Sequence, residues 1–297
     1  MKLLFLVNPI SGGVDKTPFM EVANQLCNKY GIDFQVFETT GNNDKECFEK
    51  QLNDYQPDRV AVVGGDGTVQ FASIALQSTH YAMGIVPLGS ANGMAEELGV
   101  NNDPTEAFKD LLLSHLIVPL DLLQVNKAHQ LLHIGDVGTN AELVNKYEND
   151  SRRGMMTYAK YLLSELVNLT PFEVKIEANG EVIEKSAIMV AICNAQKYGT
   201  GIPLNLSGNP LDGQFELVVI EKVGVKSLIN AGLSKFDPRF FDDEHSTIIT
   251  TKEARICLEK SRLLQLDGEV IGEVETIDVG ILPGVVQLIT NKDNPHV

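Results

Sequence analysis

Tryptophan is absent from the 297 residues, and cysteine is scarce: Cys27, Cys47, Cys193 and Cys257 are dispersed. Such scattered thiols exclude a disulfide framework or a cysteine-bound metal, and suit small buried hydrophobes in a reducing compartment. The six histidines suggest no zinc site either. Basic side chains are few, 24 against 40 acidic ones, for a net charge of −16. That balance offers no basic stripe for nucleic acid. It also excludes long-range attraction to an anionic membrane, so any lipid contact must be local. No apolar run approaches the roughly 18–20 residues needed to cross a bilayer. The opening run Met1–Val7 is cut by Asn8-Pro9 without a small-residue cleavage site, and reads as a strand rather than a secretion signal. Internal repeats and low-complexity segments are lacking. The expectation is a cytoplasmic protein, with at most peripheral contact at the inner membrane face.

What is present is an alternation of short apolar runs with helical spacing. Leu3–Val7, Phe34–Phe37, Val60–Val63 and Met83–Val86 read as strands. Between the first two, Phe19, Val22, Ala23, Leu26, Cys27 and Tyr30 recur at helical intervals. Helices are expected at about 44–54, 68–78, 92–98 and 104–115, the last opened by Asp103-Pro104. Strands separated by helices imply right-handed crossovers and a doubly wound, mostly parallel α/β sheet. From about Leu120 the texture becomes β-rich and antiparallel, sandwich-like. Strands are expected at 121–125, 131–134, 172–178, 182–193, 215–221, 246–250, 254–258 and 274–279. Asn179-Gly180 gives a hairpin signal. Helices are expected at about 140–147, 154–168 and 224–232. Two domains follow: an α/β domain, 1–120, and a β-rich domain, 121–297, which the resemblance described below would make the nucleotide-binding and the lipid-substrate domain. The tail, about 285–297, is expected to pack back on the first.

In a parallel sheet ligands bind beyond the carboxyl ends of the strands. That rim receives Asn8–Gly13, Thr39–Gly41, Gly64–Thr68 and Pro87–Gly93. Glycines admit positive φ or close backbone approach, and exposed N–H groups at a helix start suit phosphate. Gly64-Gly65-Asp66-Gly67-Thr68 stands out, because a carboxylate among glycines makes sense when a cation or hydroxyl is bound as well. A helix is expected to follow from about Val69. In the second domain, Asp212-Gly213 and Asp267-Gly268-Glu269 read equally as turns or as oxygen-rich sites. Asp121 and Asp136 read as structural.

Taken in order, these stretches resemble the diacylglycerol kinase catalytic superfamily, which includes bacterial lipid kinases and sphingosine kinases. The resemblance runs from Asn8–Gly13 through Thr39, Gly64–Thr68, Pro87–Ala95, Leu98–Val100 and Asp121–Val125 to Asp212-Gly213 and Asp267–Glu269. It implies an ATP- and Mg²⁺-dependent kinase acting on a lipid hydroxyl, that of diacylglycerol or a related glycerolipid. Nucleotide contacts would come from Asn8, Ser11, Gly12, Gly13, Thr39, Gly65, Asp66, Gly67, Thr68, Val69, Gln70, Phe71, Gly89, Ser90 and Asn92. Asp66 would organise the catalytic Mg²⁺. A second, structural Mg²⁺ would sit at Asp212 with the carbonyls of Asn209 and Gln214. Glu269, with Asp267 beside it, would accept the hydroxyl proton, and Asp136 would lie at the lipid head group. A homodimer is compatible with the sequence.

The chain departs from the bacterial pattern at four places: Ser90 for Thr, Gly93 for Asp, Phe71 for Glu and Ala195 for Gly. Gly89-Ser90-Ala91-Asn92, and Ile134–Val137 followed by Arg153-Gly154, are closer to sphingosine kinases. Lys146, Arg152, Arg153 and Lys160 flank Met155, Met156, Tyr158, Tyr161 and Leu162, a segment that reads as an amphipathic helix or a membrane contact. Two alternatives stay open: a soluble-substrate kinase of NAD-kinase type, which shares the Gly-Asp loop, and a regulator that binds nucleotide or lipid without turnover.

Overall fold

A computed structural model describes residues 1–138, 170–198, 202–205, 207–221 and 246–297. The helices expected at 140–147, 154–168 and 224–232, and the basic and aromatic segment around Arg152–Leu162, lie outside the described residues. The chain divides into two compact units, Met1–Leu120 with Gly284–Val297, and Asp121–Pro283.

The first unit runs β1 (Lys2–Val7), α1 (Thr17–Tyr30), β2 (Asp33–Glu38), α2 (Asp44–Tyr55), β3 (Arg59–Gly64), α3 (Asp66–Leu76), β4 (Ala82–Pro87), α4 (Gly93–Glu97) and α5 (Pro104–Leu113). β1 pairs in parallel with β2 and β3, and β3 with β4. Gln287 and Leu288 add a further parallel partner along β4. Near-continuous apolar runs such as Val60–Val63 suit strands covered on both faces. One face carries Leu3, Phe5, Val7, Ala61 and Val63 against Phe19, Ala23 and Cys27 of α1 and Phe108 and Leu111 of α5. On the other, Phe37 of β2 packs on Phe48 of α2, which packs on Phe71 of α3, with ring centroids 5.3 and 6.1 Å apart.

The second unit is antiparallel and contains β5 (Leu116–Val125, from Asp121 on), β6 (His129–Leu131), β7 (Ile134–Val137), β8 (Phe172–Ala178), β9 (Glu181–Ala187) and β10 (Met189–Cys193). There follow β11 (Lys197–Tyr198), β12 (Ile202–Pro203), β13 (Phe215–Ile220), β14 (Ser246–Thr251), β15 (Glu253–Leu266) and β16 (Glu269–Thr290, to Pro283 here). Strands run β14-β13-β10-β7-β15, and β15 also pairs with β16 and β8. Alternate residues from these strands, among them Val137, Val190, Ile192, Leu217, Val219, Leu264 and Leu266, form one apolar core. The Asn179-Gly180 turn has both residues at positive φ and closes β8 onto β9 with Ala178 opposite Glu181.

Three expectations are revised. The run 182–193 is two strands, because β9 pairs with β8 whereas β10 pairs with β7 and β13. The run 131–134 breaks after Leu131, since the N–H groups of Leu132 and His133 turn to a side chain, Asp267, instead of a strand. The runs 254–258 and 274–279 belong to a long hairpin of 14 and 22 residues, with an irregular register between Cys257 and Arg262. Its polar stretch Glu259–Arg262 hides the continuity from any apolar pattern. His129 and His133 are four residues apart but sit in β6 and the turn after it, not along a helix.

Candidate active site

The loops after β1, β3 and β4 interlock backbone on backbone. The Gly65 N–H donates to Ser11 Oγ at 3.0 Å, and the Asn8 N–H to the Val63 carbonyl at 3.2 Å. A Cβ on Gly12 would come within 2.8 Å of the Gly89 carbonyl carbon, and one on Gly89 within 2.2 Å of Gly65 Cα. Gly12 also needs its φ of +67°; Gly65 and Gly89 need only the missing side chain. The Gly89 N–H donates to Asn92 Oδ1 at 2.8 Å, which closes the third loop on itself. Ser90 is exposed at its tip. Thr39 stands at the end of β2, its N–H donating to the Val7 carbonyl at 2.9 Å.

Gly64–Thr68 is not a free loop. The helix α3 begins at Asp66 rather than near Val69, and the Thr68 and Val69 N–H groups bond the Gly65 carbonyl. Asp66, Gly67 and Thr68 are thus its first turn. Neither Gly64, Gly65 nor Gly67 has positive φ; a side chain on Gly64 would strike the Thr68 hydroxyl at 2.3 Å. Thr68 is buried with its hydroxyl unpartnered, and Val69 is core. Of the suggested nucleotide contacts, Thr68 and Val69 therefore support the loop from inside, and half-buried Phe71 packs on Phe48 of α2. Asp66 is half-buried, and its Oδ2 and Oδ1 accept from the Gly93 and Met94 N–H groups at 3.0 and 2.9 Å. Gly93 contributes its backbone N–H here.

One participant escaped the sequence reading. Lys16 is 6% exposed, and its amine donates to the carbonyls of Ser11, Val14 (2.9 Å) and Leu88 (2.7 Å). Desolvation lowers its pKa from the usual lysine value, opposed by the charge of Asp15. The available signal was electrostatic: a cation at the N-cap of α1 faces the positive end of the helix dipole, a placement that needs another reason.

In the second unit Asp267-Gly268 forms the two-residue turn between β15 and β16, with φ of +49° and +90° and Leu266 opposite Glu269. The Asp267 carboxylate accepts from the N–H groups of Leu132 (2.8 Å), His133 (2.9 Å) and Ile134 (3.2 Å). Burial pushes this carboxyl up to about 6, against those N–H groups and His133, which pull it down. Asp267 thus anchors the turn, whereas Glu269 is exposed at the start of β16. Asn194 holds the same segment by donating to the Leu132 and Asp121 carbonyls. Replacing Asp267 with Ala leaves three N–H groups without their acceptor. It should cost about 1–3 kcal/mol in denaturant unfolding.

Asp136 is fully buried in β7, opposite Gln265 and Ala191. Asp121 Oδ2 accepts from the Gly213 N–H at 2.7 Å. Asp212 is exposed, its Oδ1 accepting from the Gln214 N–H, and Asn209 Oδ1 accepts from the Leu211 N–H. Among the described residues no three His, Cys, Asp or Glu side chains gather as a metal site. A hard cation at Asp66 would therefore need ligand oxygens and waters besides the carboxylate, which Mg²⁺ accepts. Asp66 retains lone pairs for that, so the residues fit. At the Asp212 turn, one carboxylate oxygen and nearby carbonyls are compatible with a hydrated cation.

The first unit is thus a parallel α/β sheet with interlocked strand-end loops, and the second is antiparallel and β-rich. Residues 2–125 match the diacylglycerol kinase catalytic domain, and residues 135–290 the YegS C-terminal NAD kinase beta sandwich-like domain. The chain belongs to the diacylglycerol kinase catalytic superfamily. It is 25% identical to a diacylglycerol kinase of Bacillus subtilis over 273 residues, 89% of this chain and 88% of that one. It is 28% identical to a diacylglycerol kinase of Mycobacterium tuberculosis over 228 residues, 74% and 73% of the two chains. In fold it resembles a diacylglycerol kinase of Bacillus anthracis (TM-score 0.75, 23% identity, 98% and 97% covered). It also resembles, more distantly, an NAD kinase of Archaeoglobus fulgidus solved with ATP (TM-score 0.55, 11% identity, 98% and 94% covered). Membership of a kinase family implies ATP as phosphoryl donor. Among the described residues no helix is long and apolar enough to cross a membrane.

Proposed function

We propose that this protein transfers the γ-phosphoryl group of ATP to a lipid hydroxyl, that of diacylglycerol or a related glycerolipid. The observation that carries the proposal is the interlocked trio of loops ending β1, β3 and β4, with Asp66 fixed at the start of α3 beside them. Fixed N–H groups and a fixed carboxylate are what phosphoryl transfer asks of a protein, since the reaction is mostly positioning and charge neutralisation. Asn8, Ser11–Gly13, Gly65, Gly67, Gln70, Gly89, Ser90, Asn92 and Thr39 form the proposed nucleotide face. Asp66 would hold Mg²⁺, which neutralises charge on the phosphate oxygens when bound; Asp212, with the Asn209 and Gln214 carbonyls, would hold a structural one. Glu269 accepts the proton of the lipid hydroxyl as its oxygen bonds the γ-phosphorus and the bond to ADP breaks. Asp267 positions Glu269, whereas Asp136, fully buried within β7, is left out of the proposed substrate face.

The test is incubation of purified protein with γ-labelled ATP, Mg²⁺ and dispersed lipids: diacylglycerol, monoacylglycerol, ceramide and sphingosine. Label should enter a glycerolipid. The NAD-kinase reading has one observation in its favour, the likeness in fold to the Archaeoglobus enzyme, and predicts label in NAD with no lipid present. The proposed setting is cytoplasmic, with transient contact at the inner membrane face.

A further inference from the structure

We infer that Lys16 is a positioning residue of the nucleotide site, its ammonium fixing how the Ser11–Gly12 and Leu88–Gly89 peptides of the first and third loops are oriented. The inference rests on the kinase reading only in taking ATP as the ligand.

An ammonium has three donors and no acceptor. Here all three go to backbone carbonyls: Ser11 and Val14 in the loop after β1, and Leu88 in the loop after β4. None is left to touch a phosphate, so Lys16 acts through the loops and not on the substrate. What it does to them follows from peptide geometry. Among the described residues no peptide bond is cis, so within each planar unit of these loops the carbonyl and the next residue's N–H point in opposite directions. Drawing the Ser11 carbonyl onto the amine turns the Gly12 N–H the other way. Drawing the Leu88 carbonyl in does the same to the Gly89 N–H, which is found on Asn92 Oδ1 at 2.8 Å. One buried cation thereby sets the orientation of two glycine amides in loops whose backbones already touch at Gly12 and Gly89.

A purely structural account fits less well. Burying an ammonium costs several kcal/mol unless its donors are met, and methionine would fill the same space without that cost. The carbonyls that meet it belong to the two loops most directly implicated in holding phosphate. The nearest acid, Asp15, is exposed and caps Thr17 with its Oδ1 at 2.9 Å instead of pairing with the amine.

The experiment compares wild-type protein with K16M and K16R by calorimetric titration with ATP in Mg²⁺ buffer, alongside thermal melts and steady-state kinetics. K16M should raise both Kd and KM for ATP by about tenfold or more and leave KM for the lipid unchanged. K16R, which keeps charge and donors, should recover part of the loss. A folded K16M with wild-type Kd and KM for ATP overturns the inference, even if its melting temperature has fallen. If K16M does not fold, amide hydrogen exchange on wild-type protein decides: ATP should slow exchange at Gly12, and an unchanged rate there overturns the inference. Wild-type protein that binds no ATP removes the kinase reading and this inference together; wild-type protein that binds ATP while K16M binds it equally removes this inference alone.

Discussion

Glu269→Gln should lower lipid phosphorylation by about 10²–10⁴-fold, the range a positioned general base supplies. At 1.36 kcal/mol per decade, that is a barrier raised by about 3–5 kcal/mol. The fold should be untouched, because Glu269 is exposed at the start of β16 and the turn before it is anchored by Asp267. The loss should appear in kcat, with KM for ATP close to wild type, since Glu269 belongs to the second unit and the loops proposed to hold nucleotide to the first. Glutamine keeps the size and hydrogen-bonding reach of the side chain but cannot take up a proton at neutral pH. If E269Q turns over at the wild-type rate, the base lies elsewhere.

Asp66→Asn should be nearly as damaging, by about 10²–10³-fold in kcat/KM, the scale on which a fixed electrostatic group contributes to a transition state. Two substitutions separate its roles. Asn retains one oxygen to accept from the Gly93 or Met94 N–H, so D66N should melt near wild type while losing the charge a cation needs. Asp66→Ala also removes both acceptors at the start of α4, and should lose about 0.5–2 kcal/mol of stability as other lost helix caps do. Full activity in D66N, with ATP and Mg²⁺ saturating, would place the metal organiser at another residue.

Much of this architecture was legible from residue order. Val60–Val63 and Met83–Val86 announce strands buried on both faces, and the helical spacing from Phe19 to Tyr30 announces what covers one of them. The Asp103-Pro104 pair marks the start of α5, where Asp103 Oδ1 accepts from the Thr105 and Glu106 N–H groups. The glycines marked the three loops, but for a different physical reason than positive φ. At Gly65 and Gly89 the requirement is that two backbones touch, a long-range fact that no local pattern contains. The start of α3 was misplaced for a related reason: Gly65 and Gly67 lower helix propensity, yet the Gly65 carbonyl accepts the first turn's bonds and tertiary packing of Val69 and Ala72 holds the helix.

The carboxylates near Glu269 show where residue type alone stops. Asp267 and Glu269 are equivalent as letters on either side of a glycine. Only the three N–H groups converging on Asp267 from a segment some 130 residues earlier give it an anchoring role and leave Glu269 open. Lys16 was missed because lysine after a glycine loop reads as a solvated surface residue. Its wrong-sign position at the start of a helix was the one local hint.

The central claim is that this chain phosphorylates a lipid hydroxyl with ATP, and transfer of label from γ-labelled ATP to dispersed diacylglycerol tests it most directly. The account predicts labelled phosphatidate that depends on Mg²⁺ and is lost in D66N and E269Q. Folded protein that binds ATP yet labels no lipid in the panel, or that labels NAD instead, contradicts it.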